Sequence, residues 1–378
     1  MNAKKIVFVT NNFTPYSGGV VRSIQAITDQ LRAQGHEVRI ITLDFGTKET
    51  DPDYVIRIPA WFTFTYRGNR MAVPRQAAAH IKQILKEFQP DIVHVHHPFL
   101  LGPIAVTQAR ALNIKTVFTY HTMYEQYAHY ALLPSWFAKP FITYKVKNFC
   151  TLVDHVIAPS NYIAQRLQKW GVTHYSIIPS PIDHIFERSE QPQKIIQEPI
   201  KLLVVSRFVP EKNLTTLLDA CALLDNRFTL TLVGFGYYYR RLQRYAYSTL
   251  KLSNNKVHFV EKPTQEQLLE QYQNAQVFLF SSVTDTQAIV LAEAMSQGLP
   301  IISLHGPGQE DIIKQSVNGY LVDSVQEMAI YIERIAHDSN LYKKLSSHAF
   351  ETARNYYSAQ ITQRLMDLYE QVCKGDLK

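Results

Sequence analysis

Two acids eight positions apart, Asp285 and Glu293, lie within residues 284–300 (TDTQAIVLAEAMSQGLP). The apolar run 275–280 before this stretch predicts a buried strand, and the helix formers within it predict a short helix that ends at Gly298. A helix start after a strand presents free N–H groups and a positive dipole end, which suits an anionic ligand. The two carboxylates could accept hydrogen bonds from sugar hydroxyls. An ordinary strand–helix unit with a capping Asp and a surface Glu would give the same pattern.

Two cations, Arg207 and Lys212, follow the strand-like run 201–206 (KLLVVS). Ligands of open parallel sheets bind beyond the carboxyl ends of the strands, so we expect both side chains at that ligand edge. A guanidinium and an ammonium that converge there could clamp a diphosphate. A solvated pair of charges is the alternative, and the position after a strand favours the clamp.

The N-terminal half begins with a strand-like run at 5–10, a loop with Gly18 and Gly19, and a helix pattern at 21–34. A second strand follows, and this order predicts the opening of a Rossmann-like domain. The loop is not a GxGxxG fingerprint, so a dinucleotide cofactor is not indicated. A Gly-Gly pair lets a ligand approach the backbone closely, and it equally suits a tight turn. His121 directly follows another predicted strand and is therefore also expected at the ligand edge.

Two patterns could suggest a metal, and neither has a complete ligand set. His94, His96 and His97 lie at the end of a predicted strand, but no acid or cysteine accompanies them, so a structural or acceptor-side role is favoured. Asp51 and Asp53 form a literal DxD, which follows a polar stretch instead of a strand and predicts a turn. The sequence therefore predicts no metal site and no cofactor.

Strand-like and helix-like patterns alternate twice along the chain. This alternation predicts an α/β fold with two Rossmann-like domains that face each other across a cleft. We assign the first domain to residues 1–181 and the second to 201–357. Residues 182–200 are polar and lack periodicity, which is typical of a linker. The amphipathic pattern at 358–378 predicts a final helix that packs back toward the first domain.

Length and composition fit two globular domains. The chain has 378 residues, 46% of them hydrophobic, and can bury two cores. Three widely spaced cysteines argue against a disulfide framework and fit a reducing cytosol. The N-terminal apolar run is too short for a signal peptide, and no run reaches the length of a bilayer-spanning helix.

The positive charge is concentrated in the N-terminal half. Residues 1–180 contain 19 lysines and arginines against 10 acids, whereas the remainder contains 20 against 22. A basic half beside a near-neutral half predicts an anionic surface as partner, either nucleic acid or an acidic membrane leaflet. Because no nucleic-acid-binding motif accompanies the basic residues, the membrane is favoured.

Aromatic side chains are interleaved with lysines in residues 123–149. This composition suits the headgroup boundary of a membrane and predicts a segment that lies on the bilayer. A core between the two domains could have the same composition. The residues predicted to contact the acceptor or the membrane are Arg67, Arg70, Tyr124, Tyr127, Trp136, Phe137, Lys139, Lys145 and Lys147.

Taken together, the motifs 205–213 (VSRFVPEKN), 234–236 (GFG) and 284–300 resemble the family 4 retaining glycosyltransferases of GT-B architecture. The Gly18-Gly19 pair and His121 match features of the same family's acceptor domain, and the resemblance covers nearly the whole chain.

Two positions depart from the family pattern. The acids eight apart are normally both Glu, and the first is Asp285 here. The residue after Gln287 is usually Gly, and here it is Ala288. Within the family, 120–124 (YHTMY) and 284–287 (TDTQ) are most similar to the bacterial diacylglycerol glucosyltransferases.

The resemblance implies four catalytic residues, Arg207, Lys212, Asp285 and His121. Arg207 and Lys212 would hold the diphosphate of a nucleotide sugar and stabilise the leaving group. Asp285 would hold the donor sugar, and His121 would contact it near the reacting carbon. Glu293 would hold the nucleotide ribose. The donor-binding residues so implied are Gly18, Gly19, Arg207, Lys212, Gly234, Asp285, Gln287, Ala288, Ile289, Val290 and Glu293.

The implied reaction is transfer of a hexose, expected to be glucose from UDP-glucose, to a lipid such as diacylglycerol. The anomeric configuration would be retained and no metal would be needed. We expect the protein in the cytoplasm, bound peripherally to the inner face of the cell membrane. Two alternatives stay open, namely action on a soluble or polyprenyl-linked saccharide and a binding protein without catalysis. The intact Arg207, Lys212 and Glu293 argue against the second alternative.

Overall fold

The chain folds into two compact units, each built on a parallel sheet. The computed structural model describes residues 3–16, 18–46, 51–66, 69–124 and 135–376. Unit 1 comprises Met1–Pro181 and Ser358–Lys378, and unit 2 comprises Ile182–Tyr357. Each unit has its own sheet and its own buried clusters. The predicted α/β fold class with two Rossmann-like domains is confirmed.

Unit 1 contains a seven-stranded parallel sheet in the order β3-β2-β1-β6-β7-β8-β9. Its strands are mostly apolar in their central residues because helices cover both faces. The elements, in chain order, are β1 (Lys5–Val9), α1 (Gly19–Ala33), β2 (Glu37–Leu43), β3 (Val55–Ile58), β4 (Ala60–Tyr66), β5 (Asn69–Pro74), α2 (Ala77–Phe88), β6 (Ile92–Val95), α3 (Leu101–Ala111), β7 (Lys115–Thr119), α4 (Ser135–Leu152), β8 (His155–Ala158), α5 (Asn161–Lys169) and β9 (Tyr175–Ile177).

Unit 2 contains a six-stranded parallel sheet in the order β12-β11-β10-β13-β14-β15. A 3₁₀ turn at Pro210–Lys212 and a π-helical turn at Tyr245–Thr249 interrupt the regular alternation. The elements are β10 (Ile200–Arg207), α6 (Leu214–Leu223), β11 (Phe228–Phe235), α7 (Tyr239–Arg244), β12 (Val257–Glu261), α8 (Gln265–Asn274), β13 (Val277–Phe280), α9 (Ile289–Ser296), β14 (Ile301–Leu304), α10 (Gln309–Ile312), β15 (Gly319–Val322), α11 (Val325–His337) and α12 (Ser339–Ala353).

In each sheet the chain reverses its direction of winding between two neighbouring strands. These strands are β1 and β6 in unit 1 and β10 and β13 in unit 2. The loops that leave such a pair diverge to opposite faces and open a crevice at the carboxyl edge of the sheet. Most of the motifs singled out in the sequence follow these four strands or the adjacent β7, and 234–236 lies at the end of β11 beside β10, so the topology gathers them by unit.

The last helix, α13 (Ser358–Lys374), returns to unit 1 and packs against α1. Its buried side chains recur at helical spacing, with Ile361, Leu365, Leu368 and Val372 in the same cluster as the α1 residues. An apolar stripe of this kind requires a partner surface.

The segment interpreted as a linker belongs instead to unit 2. The Lys194 ammonium donates to the backbone carbonyls of Tyr272, at 3.3 Å, and Ala275, at 2.8 Å. The Gln276 amide donates to the carbonyl of Gln197 at 3.0 Å. Hydrogen bonds therefore tie this polar segment to the end of α8 and to the residue before β13.

Four elements were not expected from the sequence. The strands β4 and β5 form a separate antiparallel pair in 60–74, where the sequence analysis predicted only arginines that contact the acceptor or membrane. The predicted bilayer-lying segment contains the helix α4, although Pro140 lies inside it. The short strand β15 completes the edge of the second sheet.

Two glycines fix the backbone around Arg207. Gly234 and Gly236 have φ of +151° and +153°, which side chains rarely adopt. A Cβ on Gly234 would lie 1.8 Å from the Ser206 carbonyl oxygen, and one on Gly236 would lie 2.2 Å from that of Phe208. The turn after β11 therefore packs backbone against backbone on the end of β10, and this close approach explains the Gly-Phe-Gly motif.

We expect Gly234→Ala to lower the free energy of unfolding by about 3 kcal/mol, because it combines a disfavoured φ with a backbone clash. Gly35→Ala is the matched control. Gly35 has φ of +86°, and a Cβ there meets nothing within 4 Å, so only the conformational cost of about 1 kcal/mol applies. Chemical denaturation of both variants measures the difference, and equal losses would contradict the close approach.

Candidate active site

The ligand edge of unit 2 brings Lys212 and Asp285 into contact. Lys212 ends the 3₁₀ turn after β10, and Asp285 lies in the loop after the neighbouring β13. The Lys212 Nζ lies 2.6 Å from Asp285 Oδ1 and 2.8 Å from Oδ2. Lys212 is only 8% exposed, whereas 26% of the Asp285 side chain is exposed. The pair therefore has its ammonium buried and its carboxylate open to solvent.

The loop after β13 is tied to the turn that carries Lys212. The Ser281 hydroxyl donates to the Lys212 carbonyl at 2.9 Å and to that of Asn213 at 3.0 Å. Gln309 donates its side-chain amide to the Ser282 carbonyl. These bonds fix the backbone on both sides of the ion pair.

Arg207 is the last residue of β10 and extends from the same edge. Its Nη2 lies 4.0 Å from Glu211 Oε1, and 45% of its side chain is exposed. Arg207 is thus the exposed cation of this edge, while Lys212 is the buried one. A guanidinium with this exposure can turn toward an anion.

Glu293 is buried in the middle of α9. Its Oε2 accepts a hydrogen bond of 2.8 Å from the Tyr272 hydroxyl, which comes from α8. Only 5% of Glu293 is exposed. Sequence reasoning predicted a role for Glu293 but missed Tyr272, because a tyrosine 21 positions earlier in another helix carries no local signal.

Ala288 is the N-cap residue of α9. Its backbone is left-handed, with φ of +52° and ψ of +55°. This backbone explains why glycine is the usual residue in related sequences. An alanine there carries a strain of about 1 kcal/mol. The backbone of Gly308 packs directly against this loop. A Cβ on Gly308 would lie 2.8 Å from the Ala288 nitrogen and 2.9 Å from the Asp285 carbonyl oxygen. The sequence analysis assigned no role to Gly308.

The remaining predicted donor residues lie in or before the first turn of the same helix. Gln287 precedes Ala288, and Ile289 and Val290 are half-buried first residues of α9. The N–H groups of a first helical turn have no carbonyl partner four residues earlier. They are the donors that an anion or a sugar hydroxyl could use.

The ligand edge of unit 1 contains a stack of histidines. His96 Nδ1 and His121 Nε2 are 2.8 Å apart, and the His94 ring stacks on that of His96 at 4.3 Å. His94 itself bonds the hydroxyls of Tyr369 and Thr119, each at 2.7 Å. With Ser23 and Ser180, three of these histidines line a small cavity at the carboxyl ends of β6 and β7.

Burial, nearly complete at His94 and His96 and partial at His97 and His121, keeps these imidazoles neutral. It lowers the pKa of His94 and of His121 to about 3 and that of His97 to about 4, because the protein interior disfavours the charged ring. The pKa of His96 is well below its ordinary value for the same reason. His121 is therefore a neutral hydrogen-bonding group rather than a cation at physiological pH.

The two glycines of the first loop differ in their surroundings. Gly18 caps α1, and a Cβ on it would lie 2.7 Å from a ring carbon of Tyr16. Gly19 is the first residue of α1, and a Cβ there would meet nothing within 4 Å. Packing within the described chain thus does not require glycine at 19, which leaves room for a ligand to approach.

The two carboxylates of the literal DxD pattern pair with arginines. Both carboxylate oxygens of Asp51 accept from the Arg57 guanidinium, at 2.6 and 2.7 Å, and Asp53 lies 3.7 Å from Arg32. Pro52 accepts from the Val55 N–H in a turn, as predicted. Across the described residues, no three histidines, cysteines or acids are grouped as a metal site would require.

The predicted membrane residues have different positions. Lys139, Lys145 and Lys147 are exposed on α4, and Arg70 is exposed on β5. Tyr124 instead packs edge-on against Phe99 and Tyr120 and is partly buried next to the main core cluster. Arg67, Tyr127 and the side chains of Trp136 and Phe137 lie outside the described residues. None of the described helices is long and apolar enough to cross a bilayer.

A double-mutant cycle tests the ion pair. We expect Lys212→Met and Asp285→Asn to show a coupling energy of about 2 kcal/mol in chemical denaturation, because each change leaves a partly buried charge without its partner. The exposed pair Lys374–Glu370, at 3.8 Å, is the matched control with an expected coupling below about 0.5 kcal/mol. Equal coupling for both pairs would contradict the buried geometry.

The buried histidines predict that stability falls in acid. Each of His94, His97 and His121 has a folded pKa below the unfolded value of about 6.5. Their contribution is complete above pH 6.5 and is lost as the pH falls toward 4, because the unfolded chain binds protons that the folded chain excludes. Between pH 6 and 4 we expect a loss of roughly 1.4 kcal/mol per pH unit for each group, measured by denaturation at several pH values.

His97→Asn tests this assignment without removing the local hydrogen bond. His97 Nδ1 accepts from the Asn11 N–H at 3.2 Å, and an asparagine oxygen can occupy the same position. The variant should lower the slope of the unfolding free energy against pH by the amount that corresponds to about one bound proton. The same substitution at His258, which is exposed in unit 2, is the control. An unchanged slope in His97→Asn would overturn the assignment.

Two family models and several known proteins are similar to this chain. The family model described as Glycosyltransferase Family 4 matches residues 17–185, and that described as Glycosyl transferases group 1 matches residues 185–352. An alpha-monoglucosyldiacylglycerol synthase of Streptococcus pneumoniae is 28% identical over 86% of this chain and 76% of its own length. A GDP-mannose-dependent alpha-mannosyltransferase of Mycobacterium tuberculosis is 27% identical over 84% of this chain and 83% of its own length.

A solved structure of similar fold is the sucrose-phosphate synthase of Thermosynechococcus elongatus. It aligns with a TM-score of 0.78 over 98% of this chain and 100% of that chain, at 18% identity. The family models together span both Rossmann-like domains, and they agree with the family predicted from the sequence. The chain belongs to the family 4 glycosyltransferases, which are retaining enzymes of GT-B architecture.

Proposed function

We propose that the protein transfers glucose from UDP-glucose to diacylglycerol at a membrane surface, with retention of the anomeric configuration. The observation that carries the transfer reaction is the contact of Lys212 with Asp285 at the ligand edge of unit 2. Similarity to an alpha-monoglucosyldiacylglycerol synthase supports the lipid acceptor. The basic N-terminal half and the exposed lysines of α4 support a position on the anionic inner face of the cell membrane.

In the proposed reaction the bond between the anomeric carbon and the diphosphate oxygen breaks. A bond from the acceptor hydroxyl oxygen to the same carbon forms on the same face, and the hydroxyl proton passes to the departing diphosphate. Negative charge develops on the leaving group, so fixed cations next to it lower the barrier.

The donor half of the reaction is assigned to unit 2. Arg207 and the third N–H group of Lys212 bind the diphosphate. Asp285 holds Lys212 in place through two of its N–H groups and accepts from a hydroxyl of the donor sugar. Glu293, held by Tyr272, accepts from the ribose. Two cations and a helix N-terminus neutralise the diphosphate, so we expect transfer to persist in EDTA.

His121 supplies a neutral imidazole to the transferred sugar. Its low pKa prevents it from becoming a cation at neutral pH, so it acts as a hydrogen-bonding group. Because His96 contacts its Nε2, the tautomer of His121 is coupled to that of His96.

A second donor, GDP-mannose, is supported by the similarity to a GDP-mannose-dependent enzyme. It is therefore tested beside UDP-glucose in the transfer assay described next.

We expect Lys212→Ala and Glu293→Ala each to lower glucosyl transfer by about 10³-fold, because the first removes a leaving-group cation and the second a donor contact. The measurement is incorporation of labelled glucose from UDP-glucose into vesicles that contain diacylglycerol. Lys343→Ala and Glu351→Ala, which change exposed residues of α12, are the matched controls.

The outcomes separate the alternatives. Transfer from GDP-mannose alone would replace the proposed donor. A labelled product that stays in water would replace the lipid acceptor with a soluble saccharide. Wild-type transfer by either alanine variant would refute the residue roles, and nucleotide binding without turnover in the wild type would favour a binding protein.

A further inference from the structure

The antiparallel pair β4–β5 has an outer face that consists of apolar side chains. Phe62 lies opposite Val73 and Phe64 opposite Met71, so these four side chains share one face of the ribbon. The two phenylalanine rings are 6.0 Å apart. We call Phe62, Phe64, Met71 and Val73 the hairpin face.

The hairpin face points to solvent. Phe62 is 59% exposed, Phe64 44%, Met71 39% and Val73 36%. The opposite face of the ribbon packs inward through Ala72, which is 4% exposed and belongs to the main core cluster of unit 1. A contiguous apolar face of this kind on a soluble protein marks an interaction site, whereas apolar residues scattered singly do not.

The charged residues of the ribbon itself are all cations, with Arg70 on the side of Ala72 and Arg75 directly after β5. Residues 60–75 contain arginines at 67, 70 and 75 and no Asp or Glu. The Arg75 guanidinium lies 5.0 Å from the ring centre of Trp61, which is 65% exposed. Stacked arginine and tryptophan, with apolar bodies and polar tips, are suited to the boundary between lipid headgroups and acyl chains.

We propose that the hairpin face is the element of this protein that inserts into an anionic phospholipid bilayer. The proposal rests on the proposed function in that it locates the membrane contact of a lipid-modifying enzyme. Charge complementarity selects this occupant, because arginines without acids match anionic headgroups. The strands of six and seven residues extend about 20 Å, which exceeds the depth of roughly 5–10 Å at which interfacial apolar groups lie.

Vesicle binding tests the proposal without the enzymatic reaction. The probe is a vesicle of equal parts phosphatidylglycerol and phosphatidylcholine that contains no diacylglycerol. We expect Phe62→Ser/Phe64→Ser to weaken cosedimentation by about tenfold or more, since two rings no longer leave water. The matched control is Leu223→Ser/Ile330→Ser, which removes two equally exposed apolar side chains from helices of unit 2 and should bind as the wild type does.

Insertion itself is followed through Trp61. In Trp136→Phe/Trp170→Phe, Trp61 is the single tryptophan of the chain. Its emission should shift to the blue and be quenched by brominated acyl chains when anionic vesicles are added. Thermal unfolding of each variant confirms that it is folded.

Equal vesicle binding by the wild type and the hairpin variant, or no change in Trp61 emission, would overturn the proposal. Self-association of the wild type that the hairpin variant abolishes, with no vesicle binding, would assign the face to a second copy and would equally overturn it. Hairpin-dependent vesicle binding in a protein that fails to glucosylate diacylglycerol would uphold this proposal while refuting the proposed function.

Discussion

The ion pair between Lys212 and Asp285 is the contact on which the ligand edge of unit 2 depends. The two residues are 73 positions apart and meet because the strands before them, β10 and β13, are neighbours at the point where the sheet changes its winding direction. A buried ammonium is costly without a partner, so the pair fixes both the turn after β10 and the loop after β13. The same contact directs the lysine toward the sheet edge, where an anionic leaving group would need it.

The departures from the family pattern leave this arrangement intact. An aspartate at 285 retracts the carboxylate by one methylene relative to glutamate, yet both of its oxygens reach Lys212. An alanine at 288 holds a left-handed backbone at a cost of about 1 kcal/mol, a conformation that a glycine would adopt freely. Both positions thus keep the charge and the backbone course of the loop while changing the space at this sheet edge.

Sequence reasoning succeeded where strand order decides the position of a residue. Runs of apolar residues predicted most strands, and the rule for ligand edges predicted that Arg207, Lys212 and the 284–300 stretch would gather at one edge of a sheet. It failed where a partner comes from an unrelated element, as Tyr272 does for Glu293. It also failed at β4 and β5, because strand prediction relies on apolar residues facing a core, and here the aromatic residues face solvent.

The exposed aromatic side chains of β4 have a consequence for stability. The outward rings of Phe62 and Phe64 stabilise unit 1 less than fully buried rings would, since Phe62 is 59% and Phe64 44% exposed. The helix α4 has the same character, with Phe141 48% and Tyr144 60% exposed, three lysines on its surface and no acid in its sequence. A ribbon and a helix of different geometry thus share one chemistry, in which exposed aromatics accompany cations. Folding alone does not account for that coincidence, whereas an anionic lipid surface would bind both elements through the same two interactions.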